Sequence, residues 1–255
     1  MDVGAHVAAL EREGRVLVAT ARGVALDSRI PTCPGWRVAD LLAHVGFVHR
    51  WATSYVETAC TEMVEEPDEA GILQGAPPEG GRCDWVEEGH AALVRALRRA
   101  PADLECWTFL PAPSPLAMWA RRQAHETAVH RVDVELASGS SPTPVEEELA
   151  VDGIDELLFA IFGRPPRRVA DGIEEPVTIE LEAAGGAGSW TVRVSGATVE
   201  ARRGGADGAP AVRVRGTPSD LYLLLWHRRE LEGLEVDGSA ELFENAWGSR
   251  GVTWA

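Results

Sequence analysis

The stretch HETAVHRVD, residues 125–133, carries the clearest signal in the chain because it places metal-ligating side chains at helical spacing. Glu126 and His130 are four residues apart, so on a helix they lie on one face, one turn from each other. A second stretch, LLAHVGF at residues 41–47, sets His44 into an otherwise apolar helical stripe. Two histidines and one carboxylate are a sufficient ligand set for catalytic Zn²⁺ or a similar divalent ion, with water in the open position.

The spacing alone leaves other interpretations open. A single histidine on an apolar helix face is more often a hydrogen-bonded core residue than a ligand. A Glu-x3-His pair is more often part of a solvated helix face or a simple ion pair. His49 lies five residues from His44, and His125 lies five residues from His130. Five residues turn about 140° around a helix, so neither shares the face of its neighbour. They are therefore candidates to support the ligands rather than to bind the ion. Asp133 is a further candidate, which could orient His130 or equally pair with a surface arginine.

Four helical patterns in the first half of the chain predict a four-helix bundle. The fourth begins at Ser114-Pro115, a capping serine followed by proline at the first helical position, and ends near Gly139. Asp84 and Glu87 resemble a capping box at the start of the third. The first two helices are expected over about residues 4–24 and 37–60, and residues 64–83 are expected to form a flexible connection.

The stretch SGSSPTPVEEE, residues 138–148, changes the composition abruptly and predicts an interdomain linker. A helix is expected next, over about residues 145–163. Alternation of apolar and polar residues then replaces helical spacing in VTIELEA, SWTVRVS, ATVEARR and AVRVRG, which predicts short strands.

Turn and cap residues complete the pattern of this second half. Gly185-Gly186 and Gly204-Gly205 fit hairpin turns, and Thr217 caps a helix expected to reach about Leu231. A brief LEVDG strand and a last helix from Ser239 follow. The second half is thus predicted to be α+β with a mostly antiparallel sheet.

The composition argues against several classes of protein. The net charge is −16, from 40 acidic and 24 basic residues, and every basic residue is arginine. An acidic chain with no basic tract is a poor binder of nucleic acid or anionic membranes. The sequence has no secretory signal pattern, no 18-residue apolar run and no CxxC pair. The use of arginine in place of lysine indicates GC-rich codons and hence a high-GC source. We expect a cytoplasmic protein, and a monomer by default.

The stretch TCPGWRVADLLAHVGFVHRWA, residues 32–52, followed by HETAVHRVD, resembles the mycothiol-dependent maleylpyruvate isomerase family. That family belongs to the DinB-like metal-binding four-helix bundles. LYLLLWHRRELEGLEVDGSAELFENAW, residues 221–247, is similar to the family's carboxy-terminal domain, which resembles sterol-carrier-like α+β domains. The resemblance implies a DinB-like bundle over residues 1–140 and a smaller sterol-carrier-like domain over residues 148–255.

The same resemblance implies a site. The family's metal ligands match His44, Glu126 and His130, and its zinc keeps an open position for a thiolate or water. Mycothiol is the implied thiol cosubstrate, acting on a small-molecule substrate. An arginine of the second domain is implied to face the site; Arg228 is its best match, with Arg229 adjacent. Arg228 could bind a carboxylate of the substrate, or it could equally be a solvated surface arginine. The family often has Ser or Thr where this chain has Arg37, so the cap of the second helix must come from elsewhere or be weak.

Two functions compete at this point, and a relative that has kept the fold but lost the reaction is a third possibility. The first is a zinc-dependent enzyme that uses a low-molecular-weight thiol as thiolate nucleophile, for isomerisation or S-transfer on a small electrophilic substrate. The alternative is a non-catalytic protein that binds a metal and an apolar ligand. The enzyme requires an exchangeable coordination position, whereas the binding protein predicts a closed fourth ligand from His49 or Asp133. The ligand set itself accommodates zinc, nickel or iron.

Overall fold

A computed structural model describes residues 1–64, 69–163 and 175–248 of the chain. These residues belong to two compact units, Met1–Thr143 and Pro144–Trp254. Helices make up the first unit, and the second combines helices with a five-stranded, mostly antiparallel sheet, which confirms the predicted fold class. Within the described ranges, no helix is both long enough and apolar enough to cross a lipid bilayer.

The described part of the first unit contains four long helices, as the sequence predicts, and one short helix. Residues 64–83, expected to form a flexible connection, contain the short helix and a 3₁₀ turn at Glu79–Gly81, while residues 65–68 lie outside the described part. Half-buried Ile72 and Leu73 give the short helix a side that packs on the helix before it. The five helices are α1 (Val3–Ala21), α2 (Val38–Thr58), α3 (Glu69–Gly75), α4 (Arg82–Arg99) and α5 (Pro115–Ala137).

The starts of α5 and α2 are fixed by side chains that accept backbone N–H groups. The Ser114 hydroxyl accepts the N–H of Ala117, and Pro115 is the first helical residue, as predicted. The carboxylate of Asp40 accepts the backbone N–H of Arg37 at 3.0 Å. Asp40 therefore supplies the cap that the arginine at this position does not.

The predicted capping box at the start of α4 is wrong. The helix begins at Arg82, directly after the 3₁₀ turn, so Asp84 already lies inside its first turn. Asp84 and Glu87 instead each accept a hydrogen bond of 2.7 Å from the guanidinium of Arg22. The two carboxylates thus join the start of α4 to the end of α1.

The four long helices share one apolar core. α1 packs on α5, α2 packs on α4, and α2 also contacts α5. Each fully buried aliphatic side chain of such a core contributes about 1.5–3 kcal/mol. This packing holds α2 beside α5 and so sets the distances between the side chains they carry. One cluster of this core consists of Leu17, Val18, Ala21, Ile30, Val38, Leu41, Leu42, Val45, Val86 and Val134.

The described part of the second unit has five strands and three helices. These are α6 (Glu147–Asp155), β1 (Val177–Ala183), β2 (Gly188–Ser195), β3 (Thr198–Arg203), β4 (Val212–Gly216), α7 (Pro218–Leu225), β5 (Glu235–Gly238) and α8 (Ala240–Trp247). The α6 helix continues into a π-helical turn at Glu156–Ile161. The strand order is β3-β2-β1-β4-β5, in which only the β1–β4 pair is parallel. In the β1–β2 register, Leu181 lies opposite Trp190, and both side chains are fully buried.

One of the two predicted glycine turns of this sheet is wrong. Gly185 and Gly186 form the β1–β2 turn with positive φ angles of 72° and 76°, as glycine readily allows. Gly204 and Gly205 do not close a hairpin, because β3 and β4 are not neighbours in the sheet. The chain crosses there from the edge strand β3 to the far side of β1.

The α7 helix ends at Leu225, short of the predicted Leu231. His227 adopts the left-handed conformation with φ 57°, and its N–H bonds to the carbonyl of Leu224. The N–H of Arg228 bonds to the carbonyl of Leu223 at 2.7 Å. This pair of bonds is a Schellman motif, which ends a helix, and a histidine occupies the position that glycine usually takes.

Candidate metal centre

The α5 helix is buried on almost all sides, since 18 of its 23 residues are buried. A charged side chain in such a place costs several kcal/mol unless it is paired or hydrogen-bonded. The helix nevertheless carries many buried ionisable groups, so each of them needs a partner that the fold supplies. These groups are Arg122, His125, Glu126, His130, Arg131, Asp133 and Glu135.

Arg131, one of these groups, lies at the centre of a buried ionic cluster. Arg131 bonds to Glu13 at 2.9 Å and to Glu135 at 2.6 Å, and it also donates to the carbonyl of Thr143. The guanidinium has five N–H donors, and these carboxylates are oppositely charged acceptors for them. The cluster joins α1 to α5 and leaves the other buried groups of α5 to be explained.

Glu126 lies between the two histidines that the sequence singles out. Its Oε1 atom is 3.0 Å from His44 Nε2 and 3.1 Å from His130 Nε2. The two imidazole rings have centroids 5.1 Å apart and meet edge to face. The structure therefore brings His44 on α2 together with Glu126 and His130 on α5, with their ligand atoms within 4.8 Å of one another.

The second oxygen of Glu126 has a different partner. Buried Arg122, one turn earlier on α5, donates from Nη2 to Glu126 Oε2 at 3.2 Å. Burial alone raises the pKa of the Glu126 carboxyl, but the hydrogen bonds from His130 and His44 and the Arg122 charge hold that pKa well below its ordinary value. Glu126 is therefore an anion whose Oε1 atom faces the two imidazoles.

Asp133 lies behind His130 and is completely buried. Its Oδ2 atom is 2.8 Å from His130 Nδ1, the ring nitrogen that faces away from Glu126. Burial lowers the pKa of His130, but the hydrogen bonds to Asp133 and Glu126 outweigh it and raise this pKa to about 9. Without a metal, the His130 ring is thus held as a cation between two carboxylates at neutral pH.

These residues fit a divalent metal. Ligand atoms at about 2.0–2.2 Å from a tetrahedral zinc are separated from one another by about 3.3–3.6 Å. The observed N···O separations of 3.0 and 3.1 Å lie slightly below that range, so a small movement of the side chains would admit the ion. A ligand histidine usually donates its other ring N–H to a carboxylate, as His130 does to Asp133. Two histidines and one glutamate also form the ligand set of zinc sites that keep an open position.

The two other histidines considered as supporting groups have different surroundings. His49 is fully buried, with Nε2 3.0 Å from Thr127 Oγ1 and its ring 5.6 Å from that of His90. Burial lowers the pKa of His49 well below its ordinary value. His125 lies edge to face with His6, at 6.1 Å between ring centroids. Any support of the ligands by these two rings stays a prediction.

Arg228 belongs to the second unit, where it follows the end of α7. Its Nη1 atom donates to the carbonyl of Trp226 at 2.7 Å. The adjacent Arg229 instead pairs with Asp220. The predicted contact of Arg228 with a substrate carboxylate stays a prediction.

Two residues that contact the ligand side chains are not among the predicted site residues. Arg122 precedes Glu126 by four residues, which is the spacing of a same-face helical pair, so the signal was present in the sequence. Trp36 has its ring 5.1 Å from that of His44 and 6.5 Å from that of His130, nearly parallel to the latter. Its place directly after the Pro34-Gly35 turn gave no indication of these contacts.

The fold and this cluster define a protein with a helical unit that carries a candidate His-Glu-His metal centre, followed by an α+β unit. Residues 7–135 match the family profile of the mycothiol maleylpyruvate isomerase N-terminal domain, and residues 148–245 match that of the MDMPI C-terminal domain. The chain therefore belongs to the mycothiol maleylpyruvate isomerase family, as the motifs indicated.

Solved structures agree with this fold. The crystal structure of the mycothiol-dependent maleylpyruvate isomerase is 15% identical, with a TM-score of 0.64, and covers 93% of each chain. The structure of a histidine-to-alanine mutant of that enzyme is 14% identical, with a TM-score of 0.65 and the same coverage. A search of curated protein sequences gives no significant match.

Proposed function

We propose that the protein is a metal-dependent enzyme that uses a low-molecular-weight thiol, mycothiol, to isomerise a small electrophilic substrate. The observation that carries the proposal is the position of Glu126 Oε1, within 3.1 Å of the Nε2 atoms of both His44 and His130. Membership of the family and the naming of similar solved structures as mycothiol-dependent isomerases support the choice of thiol.

In this proposal His44, Glu126 and His130 hold the metal, with zinc as the expected ion. A divalent metal, when bound, lowers the pKa of a coordinated thiol so that the thiolate persists at neutral pH. Arg122 holds Oε2 of Glu126, so Oε1 is the oxygen offered to the metal. Asp133 holds Nδ1 of His130, so Nε2 is the nitrogen offered to it.

The reaction needs no redox step. The thiolate sulfur forms a bond to one carbon of an activated cis double bond, and the electron pair of that double bond moves toward the activating carbonyl. The former double bond then rotates as a single bond. Expulsion of the sulfur restores the double bond in the trans form and returns the thiol. An enzyme that retained the carbon–sulfur bond would instead be a thiol S-transferase, which is the alternative reaction in this proposal.

Turnover by the full chain tests the proposal directly. Zinc-loaded protein is mixed with maleylpyruvate and with mycothiol, glutathione or cysteine, and the loss of the cis double bond is followed by absorbance and NMR. We expect isomerisation that depends on mycothiol and is lost in a Glu126→Gln variant. Formation of a stable thioether would favour S-transfer, and no reaction with any of the thiols would contradict the isomerase.

The proposed role of Arg228 has its own test. The Arg228→Met variant should raise KM for a carboxylated substrate if its guanidinium binds the carboxylate. The matched control is Arg202→Met, because Arg202 is an exposed arginine that pairs with Asp207 at 2.8 Å. Equal kinetic constants in the two variants would contradict a role of Arg228 in substrate binding.

We also propose that the protein is cytoplasmic and that it acts as a monomer. A thiol kept reduced in the cytoplasm would be available to the metal centre there. Light scattering of the purified chain, which has a mass of 27.4 kDa, tests the monomer. A dimer mass across a range of protein concentrations would contradict it.

A further inference from the structure

The connection between α1 and α2 is a compact loop with defined hydrogen bonds. Arg29 and Arg37 form a short antiparallel bridge at its base, and the N–H of Ile30 bonds to the carbonyl of Trp36 at 3.0 Å. Within the loop, the N–H of Trp36 bonds to the carbonyl of Cys33. Gly35 takes a φ of 93°, a conformation that other residues rarely adopt, and permits this turn. The segment Thr32–Trp36, called the TCPGW loop below, is therefore held in one shape.

One end of the TCPGW loop binds the carboxylate behind His130. The Thr32 hydroxyl donates to Asp133 Oδ1, and the Cys33 thiol lies 3.7 Å from Asp133 Oδ2. A fully buried carboxylate is stabilised only when donors surround it, and these two donors come from a loop about one hundred positions away in sequence. They fix the carboxylate whose Oδ2 atom faces His130 Nδ1.

The other end of the loop packs on the ligand histidines themselves. The Trp36 ring lies 5.1 Å from the His44 ring and 6.5 Å from the His130 ring, at 21° to the latter. Both imidazoles thus have an aromatic neighbour that restricts their rotation. The loop acts on His130 from two sides, through Asp133 and through Trp36, and on His44 from one.

We propose that the TCPGW loop is the positioning element of the metal centre. Thr32 and Cys33 fix Asp133, which holds the His130 ring with Nε2 toward Glu126, and Trp36 packs against both imidazoles. These are positioning residues, because in this assignment they act on the metal through its ligands. The inference rests on the proposed metal centre. It also gives a role to Thr32 and Cys33, which the turn at Pro34-Gly35 would not by itself require.

Zinc affinity of the purified full chain tests this inference without an activity assay. Competition with a chromophoric chelator gives the zinc Kd of the wild type, Thr32→Val and Thr32→Ser. Loss of a group that supports a ligand histidine typically weakens metal binding by about 10–100-fold. Because Thr32 acts on His130 through Asp133, we expect a loss near the lower end of that range for Thr32→Val. Thr32→Ser keeps the hydroxyl and should have a Kd near that of the wild type. The control is Thr191→Val, which removes a hydrogen bond to the carbonyl of Gly204 in the second unit.

A second readout separates failure of the inference from failure of the proposed function. In metal-free protein, NMR follows the exchange of the His130 Nδ1 proton with solvent, which is slow while Asp133 holds it. We expect faster exchange in Thr32→Val than in the wild type or in Thr32→Ser. Tight zinc binding by the wild type with no change of Kd or exchange rate in Thr32→Val would overturn the inference alone. A wild type that binds no zinc would overturn the metal centre, and unchanged exchange would then overturn the positioning of His130 as well.

Discussion

Glu126 Oε1 on α5 lies 3.0 Å from His44 Nε2 on α2, although 82 positions separate the two residues in the sequence. This contact joins two of the four long helices through a buried carboxylate that is anionic and an imidazole at its side. The packing of α2 against α5 and the chemistry of the centre are therefore coupled. Changes at the centre should affect the stability of the bundle, and changes in the packing of α2 should affect the centre.

The first prediction concerns the charge of Glu126. Glu126→Gln keeps the size of the side chain but removes the anion between the two imidazoles. We expect zinc binding to weaken by more than about 100-fold, which exceeds the loss typical of a supporting residue. Chelator competition measures the affinity, and circular dichroism checks that the helices remain. The matched control is Glu135→Gln, on the same helix, whose carboxylate bonds to Arg131. Equal zinc affinities for the two variants would contradict Glu126 as a ligand.

The second prediction concerns the pH dependence of metal binding. In metal-free protein the pKa of His130 is raised to about 9, so at pH 7 its Nε2 atom carries a proton that a metal must displace. Binding at pH 7 should therefore release a proton from this ring, and affinity should rise by about tenfold per pH unit toward pH 9. Calorimetry in buffers of different ionisation enthalpy measures the released proton. Affinity that does not change between pH 7 and pH 9 would contradict this account of His130.

The third prediction concerns the stability of the first unit in acid. Burial holds the pKa of His49 well below 6.5, and among the described residues its Nδ1 atom has no hydrogen-bond partner. The unfolded chain takes up a proton at this residue as pH falls through about 6.5, whereas the folded chain does not, so stability is lost as pH decreases. The slope attributable to His49 is at most about 1.4 kcal/mol per pH unit.

Urea unfolding between pH 7 and pH 5 measures this slope. We expect it to be smaller in His49→Gln than in the wild type, because glutamine does not titrate. It should not vanish, since burial also lowers the pKa of His90. A slope as steep in the variant as in the wild type would show that His49 is not the group that titrates.

The fourth prediction concerns the packing of α2. A Cβ atom at Gly46 would lie 2.3 Å from the ring of Trp85, which must then move. Alanine gains about 1 kcal/mol over glycine in helix propensity, whereas overpacking costs about 1–3 kcal/mol. Gly46→Ala should therefore lower the free energy of unfolding by up to about 2 kcal/mol. The control is Gly4→Ala, where the nearest atom is Asp2 Oδ1 at 3.4 Å. A Gly46→Ala variant more stable than the wild type would show that α2 and α4 pack less tightly here.

The sequence was sufficient to predict the parts of the centre that depend on local geometry. Glu126 and His130 share a helix face at a spacing of four residues, and His44 interrupts an apolar stripe that has to face the core. The contact between them then follows from packing α2 beside α5. All five strands were predicted as well, four of them from the alternation of apolar and polar residues, which is a local signal.

Other features could not be predicted because they depend on residues far apart in the chain. The bonds from Thr32 and Cys33 to Asp133 exist only after the loop is folded against α5. Asp84 and Glu87 looked like a local cap, yet the distant Arg22 provides a stronger, oppositely charged partner. The left-handed conformation of His227 ends α7 without the glycine by which such an end is usually recognised.

The most direct test of the central claim is the metal content of the full chain, measured by mass spectrometry after purification without chelators or metal-affinity resin. The account predicts about one zinc, or another divalent ion, per chain in the wild type and none in His44→Ala or His130→Ala. Folded wild-type protein that contains no metal, and binds none when zinc is added back, would contradict it.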